Sequence, residues 1–331
     1  MTSTAGPPPL DPYMAVIAER AQTGLAPFPA VVAAAGRRLL ARLAPPQWRL
    51  EWYLPKWLGD AYGLSPETTA TLVLANVYGL AYVALQDRIA DEEVAPDEQA
   101  TTVCLGAAFH HLWLRQYVAL CPAESRFWDC FDDYMQQWLA ATAASNTPPA
   151  GDFAALLREH PARLSDRAAP LKVCCAAGAL LAGRGERLPP LLQTLDHLHL
   201  AAVLVDHVHD WRGDLVAGRY NAFVHYASQT PQTRENEALN RQRVHELLLL
   251  GDGGKGYFRT ALDQLQLARR WAQQAHCPPL KDYLAWYEAM VIRCRDSLTA
   301  SAHALLQAAG AQLFGSAEPA FEQSTAMQER P

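Results

Sequence analysis

None of the chain's seven cysteines stands in a CxxC spacing, which removes the commonest zinc-site and dithiol readings. An odd number, scattered from Cys104 to Cys294, suits reduced thiols and a cytoplasmic location. Positive charge is also short: 28 Lys and Arg against 34 Asp and Glu leave a formal net charge of −6. No basic stripe is therefore available to displace counterions from a nucleic acid. The opening MTSTAGPPPLDPY has no basic region ahead of an apolar stretch, unlike a secretory signal. No uncharged apolar run reaches the roughly 20 residues of a membrane span, so no transmembrane segment is expected. Alternating β-branched runs closed by hairpin turns are missing too.

What remains is a chain of 331 residues, 50% hydrophobic and 19% charged, long enough to bury a large core. Ala, Leu, Gln, Arg and Glu dominate it, and Pro and Gly punctuate it, so an all-α domain is expected. Candidate helices run over about 28–44, 48–62, 66–92, 98–120, 124–145, 166–183, 188–218, 233–250, 255–275 and 280–309. With no internal repeat and no evident linker, one domain over about 27–312 is expected, between a flexible leader, 1–26, and a flexible tail, 313–331. The polar stretch from Ser228 to Arg243 reads as a solvated connection.

Ser65, Pro66 and Glu67 form an N-cap, a first-turn Pro and an acid at the positive helix end. The helix they launch is apolar nearly all round, TLVLANVYGLAYVAL, which puts it at the centre of a bundle. LLQTLDHLHLAAVLV has the same character. Each of these runs ends in an acidic ladder: Asp87 and Asp91 after the first, Asp206, Asp210 and Asp214 after the second. A four-residue step keeps carboxylates on one helix face. A lone pair of that kind is commonly a solvated surface feature, but carboxylates closing buried helices need solvent or a cation to offset their burial. Hard oxygen donors on two helices suit Mg²⁺, with waters and a substrate phosphate completing the shells.

The two motifs resemble those of the class I isoprenoid synthases, the all-α family with a central cavity that includes terpene cyclases, chain-elongating prenyltransferases and head-to-head squalene and phytoene synthases. DRIAD, residues 87–91, is similar to the DxxxD form of the head-to-head enzymes and to the outer acids of DDxxD. The second ladder, with Gly218 and Asn221 after it, resembles the metal motif of terpene cyclases, while Gly218, Arg219 and Tyr220 resemble the phytoene synthase pattern. The resemblance spans roughly Trp48 to Leu305.

What the resemblance implies is a Mg²⁺-dependent terpene synthase, with three ions per site, that ionises a C15 or C20 prenyl diphosphate and cyclises the cation. Asp87, Asp91 and Glu92 would hold metal from one wall and Asp206, Asp210 and Asp214 from the other. Arg163 or Arg167, Lys172, Arg219 and Tyr220 would grip the diphosphate, with Arg293 or Arg295 as a further candidate. Phe109, Trp113, His199, Asn221 and Trp286 would line the cavity, Trp271 and Tyr287 being further aromatic candidates for stabilising a cation. His207 and His209 lie off the face of His199 and are expected to pack or to meet solvent.

The acidic EEVAPDEQ after the first motif differs from the Arg-rich stretch of the chain-elongating enzymes, which favours one substrate over two. The alternative is head-to-head condensation. Two others are a His/Asp metal-dependent phosphohydrolase built on His209, Asp210, His110 and His111, and a non-catalytic prenyl-binding protein, because Gln86 and Arg88 depart from the commonest acidic pattern. A homodimer is compatible with each.

Overall fold

The computed structural model describes residues 11–45, 49–229 and 236–314. The chain opens with α1 (Pro12–Thr23), α2 (Ala30–Arg42), α3 (Arg49–Tyr62) and α4 (Pro66–Ala90). It continues through α5 (Gln99–Leu120), α6 (Phe127–Ala143), α7 (Phe153–Glu159) and α8 (Ala162–Ser165), then a 3₁₀ turn at Asp166–Ala168 and α9 (Pro170–Leu181). A second 3₁₀ turn at Gly185–Arg187 leads into α10 (Leu188–Ala217), followed by α11 (Ala222–Ser228), α12 (Glu237–Leu249), α13 (Lys255–Ala275) and α14 (Pro278–Phe314). No strand occurs among the described residues.

Of the expected flexible leader, 1–10 lie outside the described residues and Pro12–Thr23 form a helix. Asp11 caps α1 by accepting a hydrogen bond from Met14 N at 2.9 Å, and Met14, Ile17 and Ala21 are buried. Three apolar positions at helical spacing carry that docking, and the proline-rich opening obscured them. The short α7 and α11 carry no sequence expectation, since seven residues, about two turns, show too little periodicity to register. Of the expected polar connection, 230–235 lie outside the described residues and Glu237 onward is helical. The tail lies outside them from residue 315.

α4 begins as the sequence indicated, with Ser65 Oγ accepting from Thr68 N at 3.1 Å. Its length and composition match a membrane span, yet 67% of its most apolar window is buried within the bundle, as expected of a central helix. Helices α3 and α4 pair closely. Gly59 takes part in that pairing, because a Cβ there would meet Thr69 Oγ1 at 2.3 Å. α9 is buried along most of its length, from Pro170 to Ala179, and α10 packs along α13. α4, α9 and α10 thus form the inner walls, and a cavity opens between their ends.

Candidate active site

One cavity of about 420 Å³ lies between α3, α4, the α8–α9 break and α10, within the usual range for a small-molecule site. Asp87 and Asp91 line it from α4, and Asp206, Asp210 and Asp214 from α10. Asp87 and Asp91 sit in the last turn and at the cap of α4, and Asp206, Asp210 and Asp214 step along the C-terminal third or so of α10, so the two C-terminal ends share one mouth.

Both helices end in the same way. Asp91 N donates to Asp87 O at 2.8 Å, Glu92 takes a left-handed conformation at φ 56°, and Glu93 N donates back to Arg88 O at 2.9 Å. On α10, Gly218 is left-handed at φ 68°, and Arg219 N donates to Asp214 O at 2.8 Å. These closures satisfy the last carbonyls and turn the chain sharply. In each case the residue after the turn faces the cavity: Glu93, not Glu92, lines it on one side and Arg219 on the other.

Two guanidinium groups flank Asp91. Arg219 Nη1 lies 3.7 Å from Asp91 Oδ2 and 3.0 Å from Glu93 Oε1, and Arg167 Nη2 lies 3.9 Å from Asp91 Oδ2. Arg167 reaches the cavity because the chain breaks at Asp166–Ala168, and Pro170 and Leu171 continue the same wall.

Asp87 Oδ1 is buried with no hydrogen-bond partner, and burial pushes the Asp87 carboxyl up to about 6 despite Arg167, with Asp91 adding to the rise. Asp206 meets the solvent of the mouth but has protein on most sides, and that enclosure, with Asp210 beside it, pushes it up to about 6 also. Asp214 is raised by burial, against the pull of a hydrogen bond from Asn221. Carboxylates costly to ionise, with one oxygen orphaned, are what a cation would complete.

No three Asp, Glu, His or Cys side chains among the described residues converge to grip one ion unaided. The donor set fits Mg²⁺ nonetheless, which takes one or two carboxylates and completes its shell with waters and phosphate oxygens.

Several expected residues sit elsewhere. Lys172 is buried in a cluster with Asp166 at 3.0 Å, Asp196 at 2.5 Å and Gln137 at 3.0 Å, turned away from the cavity. Arg163 binds the carbonyl of Ala144 at 2.9 Å and that of Thr147, and with Tyr220 lines a small recess beside the cavity. Asn221 is fully buried and acts as a brace. Its Oδ1 accepts from Phe223 N at 3.0 Å and Val224 N at 3.1 Å, while its amide donates to Asp214 Oδ2 at 2.8 Å and His207 O at 2.9 Å. Arg295 pairs with Asp296 at 2.8 Å, and neither it nor Arg293 borders the cavity.

Trp286 is 45% exposed on α14, and the half-buried Trp271 of α13 and buried Tyr287 of α14 do not border the cavity. Phe109 and Trp113 are core residues of α5 behind α4. A Cβ at Gly79 would lie 2.8 Å from the Trp113 indole, so this glycine lets the ring back the cavity wall without lining it. Among the described lining residues Tyr220 is the only Phe, Tyr or Trp; Leu80, Val83, Leu171 and Val203 supply the apolar surface.

His199 lines the cavity and is only 6% exposed, with Nδ1 lacking a partner. Burial pulls it down to about 3 and Lys172 adds to that. His207, expected to pack or meet solvent, packs and also borders the cavity. Its Nδ1 accepts from Ala222 N at 3.0 Å, which leaves its proton on Nε2. His209 is exposed, and His110 packs against Tyr82 and Trp113, so no His-rich metal site forms among the described residues.

One lining residue had no signal in the sequence: Glu51, in the first turn of α3. It looks like an ordinary acid at a positive helix end, and only the pairing of α3 with α4 brings it to the cavity. Burial pushes it up to about 7, with Asp206 contributing.

No protein-family model and no curated protein matches this chain. Among solved structures it is similar to a geranylgeranyl pyrophosphate synthetase from the archaeon Geoglobus acetivorans, with a TM-score of 0.58 at 13% sequence identity over 83% of this chain and 98% of that one. The fold is the all-α helical bundle of the isoprenoid synthase type, built around a central cavity.

Proposed function

We propose that this chain is a Mg²⁺-dependent enzyme that ionises a linear prenyl diphosphate of C15 or C20 length and rearranges the resulting allylic cation within the cavity, releasing diphosphate. The observation that carries this reading is the opposition of two carboxylate ladders, Asp87 and Asp91 against Asp206, Asp210 and Asp214, across one cavity mouth that also holds Arg167 and Arg219.

The residues divide the work by position. Asp87 and Asp91 would hold metal from α4, and Asp206, Asp210 and Asp214 from α10. The chemistry magnesium supplies when bound is neutralisation of the diphosphate charge, which turns a poor leaving group into a good one. Arg167 and Arg219 would donate to the diphosphate oxygens where negative charge grows as the carbon–oxygen bond breaks. Asn221 and Gly218 hold Asp214 and Arg219 in place. Leu80, Val83, Leu171 and Val203 surround the hydrocarbon and keep water from the cation.

One basic cluster at one mouth supports a single diphosphate per turnover, hence a cyclase or eliminating enzyme over a condensing one. The test is to supply farnesyl and geranylgeranyl diphosphate separately with Mg²⁺, measure diphosphate release and weigh the hydrocarbon. A product with the carbon count of its substrate is expected. A doubled count would make the enzyme a head-to-head condensing enzyme, and binding without release would make it a prenyl-binding protein.

A further inference from the structure

Away from the mouth the cavity turns polar again. Asn76 lies eleven residues before Asp87 on α4, about 16 Å along the helix axis, and His199 precedes Asp210 by the same interval on α10. Glu51 joins them because the Asn76 amide donates to the Glu51 carbonyl, which pins the first turn of α3 beside the middle of α4. All three line the cavity. Glu51 is half-buried, and its carboxyl accepts a hydrogen bond from its own backbone amide but has no ion pair among the described residues; His199, which lines the same cavity, is nine-tenths buried with its Nδ1 unpartnered.

A carboxylate with no cation beside it is a costly thing to enclose, and the partner it lacks is a positive charge that arrives with the substrate. We propose that Glu51 is the catalytic base that ends the reaction by taking a proton from the carbocation, so that the product is an olefin. This inference rests on the ionisation reading above and goes beyond it by naming the group that determines the fate of the cation. The C–H bond next to the cationic carbon breaks, its electron pair becomes the new C=C bond, and the proton passes to a Glu51 carboxylate oxygen. No oxidant or further reactant is needed.

Two observations single out Glu51 and a short reaction. Burial of His199, with the charge of Lys172 adding to it, opposes a positive charge on that imidazole, and Glu51 is the carboxylate that lines this end of the cavity. The described lining holds Tyr220 but no other large aromatic ring, so there is little π surface to carry a cation through many successive migrations. A base facing an aliphatic wall favours early proton loss.

The experiment uses the full chain with Mg²⁺ and the prenyl diphosphate that the wild type turns over. Its readout is the yield of the principal olefin per diphosphate released, a ratio independent of overall rate. Glu51→Gln keeps the shape and removes the acceptor; the ratio should fall about tenfold or more, with hydroxylated or isomeric products making up the difference. Glu51→Asp, which keeps a carboxylate, should recover part of the wild-type ratio. A purely structural Glu51 would change the unfolding temperature and leave the ratio alone. An unchanged ratio in Glu51→Gln, within about twofold, overturns the assignment while leaving the ionisation reading intact. A wild type that releases no diphosphate removes both.

Discussion

Arg219 Nη1 lies 3.0 Å from Glu93 Oε1, and each residue is the first beyond the left-handed turn that ends its helix, Glu93 after α4 and Arg219 after α10. This ion pair ties together the ends of the two helices that carry the carboxylates, and Arg219 also approaches Asp91. Because the pair is partly exposed, its contribution to stability is small; under the proposed function its position at the cavity mouth would put Arg219 against the diphosphate. Arg219→Gln should lower kcat/KM for diphosphate release by about 10²-fold while the unfolding temperature moves by less than about 2 °C. Steady-state kinetics beside thermal unfolding separates the two effects, and a large thermal shift with unchanged kinetics would make Arg219 a structural strut.

The two helix ends differ in how well their residues suit the left-handed turn. Gly218 adopts φ 68° without a side chain, whereas Glu92 adopts φ 56° with one. Gly218→Ala should therefore destabilise the fold by about 1 kcal/mol and Glu92→Gly should stabilise it by a similar amount. Urea unfolding midpoints check both signs. A destabilised Glu92→Gly would show that the Glu92 side chain makes contacts worth more than the strain.

Asn221 serves the fold and the site together, through two hydrogen bonds that cap α11, one to Asp214 and one to the His207 carbonyl. Its replacement by Ala should lower stability by about 1–2 kcal/mol and weaken Mg²⁺ binding, because Asp214 loses its orienting donor. Isothermal titration with Mg²⁺ and a diphosphate would register the second effect; binding equal to wild type would confine Asn221 to the cap.

The fold was legible because α4 and α10 carry continuous apolar runs, with the Ser65 cap opening the one and Gly218 closing the other, and the five aspartates were legible because a four-residue step survives as a local pattern whatever the tertiary structure. Glu51 was not, since its place in the cavity depends on α3 lying against α4, a relation with no local signature. The aromatic candidates misled for a related reason. Sequence shows that Trp113 or Trp286 is large and apolar, but which face of its helix meets the cavity depends on packing: Trp113 sits behind Gly79, and Trp286 points outward. Lys172 misled likewise, because its partners Asp166 and Asp196 come from different elements.

The raised carboxyls give a pH dependence with a definite sign. Asp87 and Asp206 are pushed from 3.8 to about 6 by burial, so the metal-free fold favours their protonated forms. The stability from this preference is complete below 3.8, the unfolded value, and is lost as pH rises through about 6. Under the proposed function Mg²⁺ would bind the ionised forms, so it should raise the unfolding temperature by about 2–4 °C at pH 7.5 and by little at pH 5. Asp87→Asn should raise the metal-free unfolding temperature at pH 7.5 and abolish the Mg²⁺ response. An equal Mg²⁺ effect at both pH values would place the ion elsewhere.

The central claim is that two helix ends act together on one diphosphate. The most direct measurement is Mg²⁺-dependent diphosphate release from a prenyl diphosphate by the wild type, Asp87→Asn and Asp210→Asn, one substitution on each helix. Release by the wild type and a loss of at least about 10³-fold in each variant, with the helical circular dichroism retained, is the predicted result. No release from the wild type with any prenyl chain length, or undiminished release from both variants, would contradict it.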